Sequence, residues 1–185
     1  MNNINDMRLN KETFKDMIGH KFIKYRCDPF TFTNTVTAVV GIYIDNKVYK
    51  IFNEQELIDY FDIKDDFAVW NVYETKDSDI QSYIANCKQI DTPINEIIKN
   101  ITLVNEHQTA IIDSVKYELW VTRSIIFHLE NKDIYFEKSD TAFSEEIEIR
   151  RGHDLLKEYP KRNSYFMDGW AEDVIASVET EFITV

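Results

Sequence analysis

The stretch Val115–Glu137, VKYELWVTRSIIFHLENKDIYFE, constrains the fold more than any other. Every second residue gives Val115, Tyr117, Leu119, Val121, Ile125, Phe127 and Leu129 on one face, interrupted only by Arg123. The intervening set, Lys116, Glu118, Trp120, Thr122, Ser124, Ile126 and His128, is mostly polar. Alternation of this length predicts a half-buried strand. Asn131-Lys132 then turns the chain into a return arm, DIYFE.

A second stretch repeats the pattern. TAVVGIYIDNKVYKI (37–51) and TRSIIFHLENKDIYF (122–136) align without gaps at an offset of 85, with Thr37/Thr122, Asn46/Asn131 and Lys47/Lys132 identical. An Asn-Lys loop would pair Ile44 with Tyr49 and Ile42 with Ile51, and likewise Leu129 with Ile134 and Phe127 with Phe136. The resemblance stops at the hairpins, which is as compatible with convergence as with a duplicated half-domain.

Further strands are expected at 20–27, 67–74, 143–149 and 174–185. Helices are expected at Asn10–Ile18, from Asn53 through EQELIDYF, from Ser78 to Cys87, from Thr92-Pro93 to Ile101, and over DLLKEY (154–159). The resulting fold class is α+β: a mainly antiparallel sheet of six to nine strands, with three to five short helices packed on one side, in a single domain over 1–185. A chain of 185 residues with 44% hydrophobic and 14% aromatic content can bury such a core.

Chemistry is not declared by any motif. The four histidines (20, 107, 128, 153) are isolated, so neither a metal nor a cofactor is expected. Four scattered glycines make no phosphate-cradling loop. Cys27, with His20 or His153, reads as packed rather than catalytic, and no catalytic residue is assigned. A competing enzyme or ligand-binding reading centres on Arg150, Arg151, His153 and Asp154, where the alternative is that Asp154 caps a helix. Two cysteines sixty residues apart, a polar amino terminus and the lack of an 18-residue apolar run predict a soluble, cytoplasmic protein.

Charge is the better clue. The net charge is −12, which disfavours direct nucleic-acid and membrane partners. Residues 54–80 hold nine acids against two lysines, while 168–181 hold five acids and no Lys or Arg. The expected partner-binding set is Glu54, Glu56, Asp59, Asp62, Asp65, Asp66, Asp77 and Asp79, with Trp70 as an aromatic anchor. The alternative is that Phe61 and Trp70 are core and the acids coat a helix and a loop. In size, charge and lack of catalytic motifs the chain is similar to toxin-immunity proteins and to anti-defence inhibitors of the anti-CRISPR kind. Some of those imitate nucleic acid with carboxylates. The expected partner is then a protein with a basic groove, such as a nuclease or a toxin; a homodimer is a third arrangement to weigh.

Overall fold

Period-two patterning extends much further through the chain than these expectations allow. The computed structural model describes residues 3–139, 142–157, 166–167 and 169–185. Its strands are β1 (Asn3–Met7), β2 (Lys21–Cys27), β3 (Thr35–Thr37), β4 (Val39–Ile44), β5 (Lys47–Tyr60), β6 (Ile63–Thr75), β7 (Ile90–Ile112), β8 (Val115–Leu129), β9 (Asp133–Lys138), β10 (Glu146–Gly152) and β11 (Ile175–Thr184). They form one sheet, antiparallel except where β1 joins β8. Among the described residues, helical structure is limited to a four-residue turn, α1 (Glu12–Lys15), a 3-10 turn at Asp77–Asp79 and residues 166–167.

The α+β expectation is therefore wrong: among the described residues no layer of helices packs on the sheet. Residues 54–60 are strand because β5 pairs with β6 from Val48↔Thr75 to Tyr60↔Ile63. A two-residue turn, Phe61-Asp62, closes that hairpin with φ of 52° and 70°, the positive values a type I′ turn requires. Phe61 adopts this costly conformation because its ring is buried against Tyr60, Phe166 and Trp170. The Ser78–Cys87 helix is replaced by the 3-10 turn and irregular chain. Residues 154–157 form a turn, and the rest of DLLKEY lies outside the described residues.

The 92–101 misreading has an instructive cause. Ile94, Ile98 and Ile101 do face one core, at spacings of four and three. A β-bulge between Ile98 and Asn100 adds one residue to β7, which turns a spacing of two into three and imitates helical periodicity. Pro93 is tolerated because 90–97 pair only with β2, leaving one edge of that segment without a ladder.

The two similar hairpins prove to be two similar three-stranded units. Their registers lie two residues from the expected ones: Ile44 opposes Lys47, Ile42 opposes Tyr49 and Val40 opposes Ile51. Phe127 opposes Ile134, Ile125 opposes Phe136, and the Leu129 amide donates to the Lys132 carbonyl. The turns are thus Asp45-Asn46 and Glu130-Asn131, and the offset of 85 survives pair by pair. A shift of two leaves every side chain on its expected face. The likeness extends into the preceding strand. Phe22 and Tyr25 of β2 oppose Ile44 and Ile42, with a bulge after Phe22; Ile98 and Ile101 of β7 oppose Leu129 and Phe127, with a bulge after Ile98. β2 and β7 pair antiparallel with Lys21 opposite Ile97, its own counterpart, so the units sit about a local two-fold.

The ladder closes on itself. β3 runs into β4 through Ala38 (φ 60°), and β3 pairs with β10 while β4 pairs with β2. The circuit β4–β2–β7–β8–β9–β10–β3 encloses the main core. Phe22 and Phe127 meet edge to face at 5.2 Å across it, as do Tyr25 and Phe136 at 6.0 Å.

A second core lies under the distal half of the β5–β6 hairpin, where Phe61 and Phe67 pack on Tyr117, Leu119 and Val121. Arg123, the one interruption in the β8 alternation, falls between Val121 of this core and Ile125 of the first. Its Nε lies 3.5 Å from Glu106 Oε1, with both side chains buried. Lys138 is fully buried nearby, donating to the Ala142 carbonyl at 3.2 Å, its Nζ 4.5 Å from the Phe67 ring centroid. These three residues form a polar layer between two apolar clusters.

Burial, reinforced by Arg123, holds the Lys138 ammonium well below its ordinary 10.5. In the window below 10.5 the unfolded chain binds a proton that the folded chain binds less well, so stability rises with pH through that window. Lys138→Met is expected to raise stability at neutral pH by about 1–3 kcal/mol and to flatten this rise. Urea melts at pH 7 and 9.5 check both, and a destabilised Met variant would contradict the assignment.

Candidate functional site

Among the described residues, the largest set of carboxylates without a basic partner lies on the β5–β6 hairpin. No Lys or Arg there comes within salt-bridge distance of Glu54, Glu56, Asp59, Asp62, Asp65 or Asp66. Alternation places them on two faces. Leu57 opposes Asp66 and Asp59 opposes Lys64 on the outer face. Glu56 opposes Phe67 and Ile58 opposes Asp65 on the face that packs on β8 through Phe67. Glu56 and Asp65 are themselves exposed, and Asp62 sits at the tip. The arm also exposes two aliphatic side chains, Leu57 at 67% and Ile63 at 65%. It is braced from the side by Asn5, whose Nδ2 donates to the Asp59 carbonyl.

The remaining residues of the expected surface lie elsewhere. Trp70 is inside the main core, its Nε1 donating to the Thr122 carbonyl at 2.7 Å. Asp77 is held by Arg26 at 2.9 Å and by the Tyr43 hydroxyl at 2.6 Å, which keep its carboxyl below the usual range. Asp79 accepts from Thr75 and Ser78 and ties the 3-10 turn to the end of β6. The acidic stretch therefore divides into a structural part at 77–79 and an unpaired part at 54–66. In the distal half of the hairpin the exposed apolar groups are aliphatic and the aromatic residues Tyr60, Phe61 and Phe67 turn inward, while Tyr73, nearer its base, is exposed.

The competing cluster does not converge. Arg150 pairs with Glu148 at 2.8 Å and lies 3.6 Å from Glu137. Arg151 and His153 are exposed. Asp154 pairs with Lys157 and its carbonyl accepts the Lys157 amide, closing a turn. Cys27 is buried, and burial beside Asp28 pushes its thiol up to about 12, so it is not a nucleophilic thiolate at neutral pH. His20, its suggested partner, is instead 2.7 Å from Asp45.

One arrangement escaped the sequence. His128 Nδ1 lies 2.9 Å from Asp133 and Nε2 lies 2.9 Å from Thr102 Oγ1, the order of a nucleophile, a base and an orienting acid. Thr102 is 1% exposed and its hydroxyl also lies 3.3 Å from that of Thr184. A hydroxyl shut in this way meets no substrate; the chain of contacts stitches β9, β8, β7 and β11. No signal in the sequence links residues 102, 128, 133 and 184. Trp120 is likewise covered, with the His107 ring stacked on it at 4.1 Å and the Arg8 guanidinium 4.4 Å from it.

Among the described residues, no group of three or more His, Cys, Asp and Glu is arranged to hold a metal ion. No helix there is long and apolar enough to cross a membrane. No protein-family model matches the chain, nor does any curated protein or solved structure. The likeness in size and charge to toxin-immunity and anti-CRISPR inhibitors thus finds no support, and with the helices gone the fold implied alongside it falls as well.

Proposed function

We propose that this chain is a non-enzymatic interaction protein that meets a basic surface of another protein with the distal half of its β5–β6 hairpin. The observation that carries this is the set of six carboxylates without basic partners around the exposed Leu57 and Ile63. Fields from unpaired acids steer a basic partner, and desolvated aliphatic groups anchor it once docked. Grooves that bind nucleic acid are strongly basic because Lys and Arg must meet the phosphates, so a nucleic-acid-handling protein is the kind of partner such an arm suits. Both cysteines are free, which agrees with a reducing compartment and a cytoplasmic site of action.

The test is capture from the native host with the wild-type chain and an Asp62→Lys/Asp65→Lys/Asp66→Lys variant. A basic protein recovered by the first and lost by the second supports the proposal. Equal recovery by both removes the arm as the binding surface.

A further inference from the structure

A cavity of about 240 Å³ lies beside the tip of the β5–β6 arm. The arm lines it with Asp59, Tyr60 and Phe61, β8 with Tyr117 and Leu119, and β1 with Asn5. Its polar groups are mostly engaged. Asn5 Nδ2 donates to the Asp59 carbonyl, and Glu118, also at the wall, is held by Lys116 at 3.0 Å and His107 at 2.8 Å. The Asp59 carboxylate is exposed and makes no ion pair, although Lys64 stands opposite it in the ladder.

Two hairpin turns meet at this place, Phe61-Asp62 of the arm and Asp113-Ser114 between β7 and β8. Burial holds the Tyr117 hydroxyl above its ordinary value, and the carboxylates of Asp62, Asp59 and Asp113 raise it further. Three carboxylates from two hairpins thus act on one end of an aromatic-walled space. Asp113 stands outside the acidic stretch that the sequence singled out.

Size and charge select the occupant. Pockets for free small molecules run to roughly 300–1,000 Å³, so a space of about 240 Å³ suits a single side chain. An anion meets three carboxylates of its own sign. An apolar side chain would cover the Asp59 carboxylate without giving it a partner, which costs free energy. A cation gains from the carboxylates and from the rings of Tyr60, Phe61 and Tyr117 together. A guanidinium gains more than an ammonium, because it is planar, less strongly hydrated and stacks on aromatic rings.

We infer that this cavity receives one arginine side chain of the basic partner, its guanidinium lying against the aromatic wall within the field of Asp59, Asp62 and Asp113. The inference rests on the arm being the binding surface, and it names the residue that the partner must present there. A buried arginine in a central pocket is the usual form of an interface anchor.

The test titrates three blocked tripeptides into the full chain by NMR: Gly-Arg-Gly, Gly-Lys-Gly and Gly-citrulline-Gly, the last having the shape of arginine without its charge. The Arg peptide is expected to shift the amides of Asn5, Asp59 and Leu119 and to bind roughly tenfold tighter than the citrulline peptide, with Lys between them. Tyr117→Leu keeps every carboxylate and is expected to weaken the Arg peptide roughly threefold. Asp59→Asn/Asp62→Asn, at two exposed positions that leave the fold intact, is expected to weaken it roughly tenfold. Equal binding of the Arg and citrulline peptides, no shift at the cavity amides, or undiminished Arg binding by the Asn variant would each overturn the inference. These titrations use no partner, so they separate the cavity from the arm. Capture lost with the triple Lys variant while the Arg peptide leaves the cavity amides unmoved keeps the arm and overturns the cavity. Capture unchanged by that variant while the Arg peptide binds at these amides removes the arm and supports the cavity as an arginine site.

Discussion

Glu106→Leu is expected to cost about 3–5 kcal/mol of folding stability, a large part of the total for a domain of this size. Glu106 is the anion of the buried layer between the two cores, with Arg123 Nε at 3.5 Å and the Lys138 ammonium within its field. Leucine fills the volume but removes the carboxylate that lies 3.5 Å from Arg123 Nε and accepts from Gln108 Nε2 at 3.0 Å. The loss comes chiefly from the buried polar groups deprived of that carboxylate. Adding Arg123→Met to the same chain is expected to restore part of the stability, because contacting residues of one buried network are not additive. Chemical denaturation of the two single variants and the double variant closes this cycle. A Glu106→Leu variant within about 1 kcal/mol of wild type would show that the layer is screened by water.

Phe127→Ala is expected to destabilise by about 3–5 kcal/mol. Its ring is fully buried at the centre of the closed circuit, 5.2 Å from Phe22 and 5.9 Å from Phe136. Alanine would leave a cavity bounded by three strands, β2, β8 and β9, whose registers are fixed on both sides, so collapse around it is limited. Ile42 is its counterpart in the first unit, also fully buried. Ile42→Ala should fall in the same direction with a cost of about 2–5 kcal/mol. Thermal or urea melts measure both; a Phe127→Ala cost below about 1 kcal/mol would mean that the circuit does not enclose one core.

The sheet was legible wherever one face is apolar and the other polar, as over 115–129 and 36–52. It was illegible in three physical circumstances. A bulge beside Ile98 turned strand spacing into helical spacing. The β5–β6 arm carries acids and aliphatics on both faces, because one face covers the second core only in part, so Asn53 and Glu56 could pass for a helix start. The 23-residue strand β7 pairs first with β2 and then with β8 and β11, and Ile90–Ile97 took its pattern from β2 rather than β8.

The candidate surface was legible as charge and not as geometry. Counting acids found 54–79, but only pairing separates Asp77, held by Arg26 and Tyr43, from Asp65 and Asp66 on the arm. Trp70 stood out as an anchor by residue type, yet it belongs to the core; Leu57, unremarkable in sequence, is the exposed apolar group beside Asp66. Arg123, which looked like a flaw in an apolar face, marks the boundary between two cores.

The most direct measurement of the arm's role is the salt dependence of binding to the captured partner, compared for the wild-type chain and Asp62→Lys/Asp65→Lys/Asp66→Lys. All three positions are exposed, so the fold is expected to survive the exchange. Wild-type affinity should fall steeply between low and high ionic strength, whereas the variant should bind weakly at low salt with a flat or inverted dependence. Identical affinity and identical salt dependence for the two proteins would contradict the assignment of the arm as the binding surface.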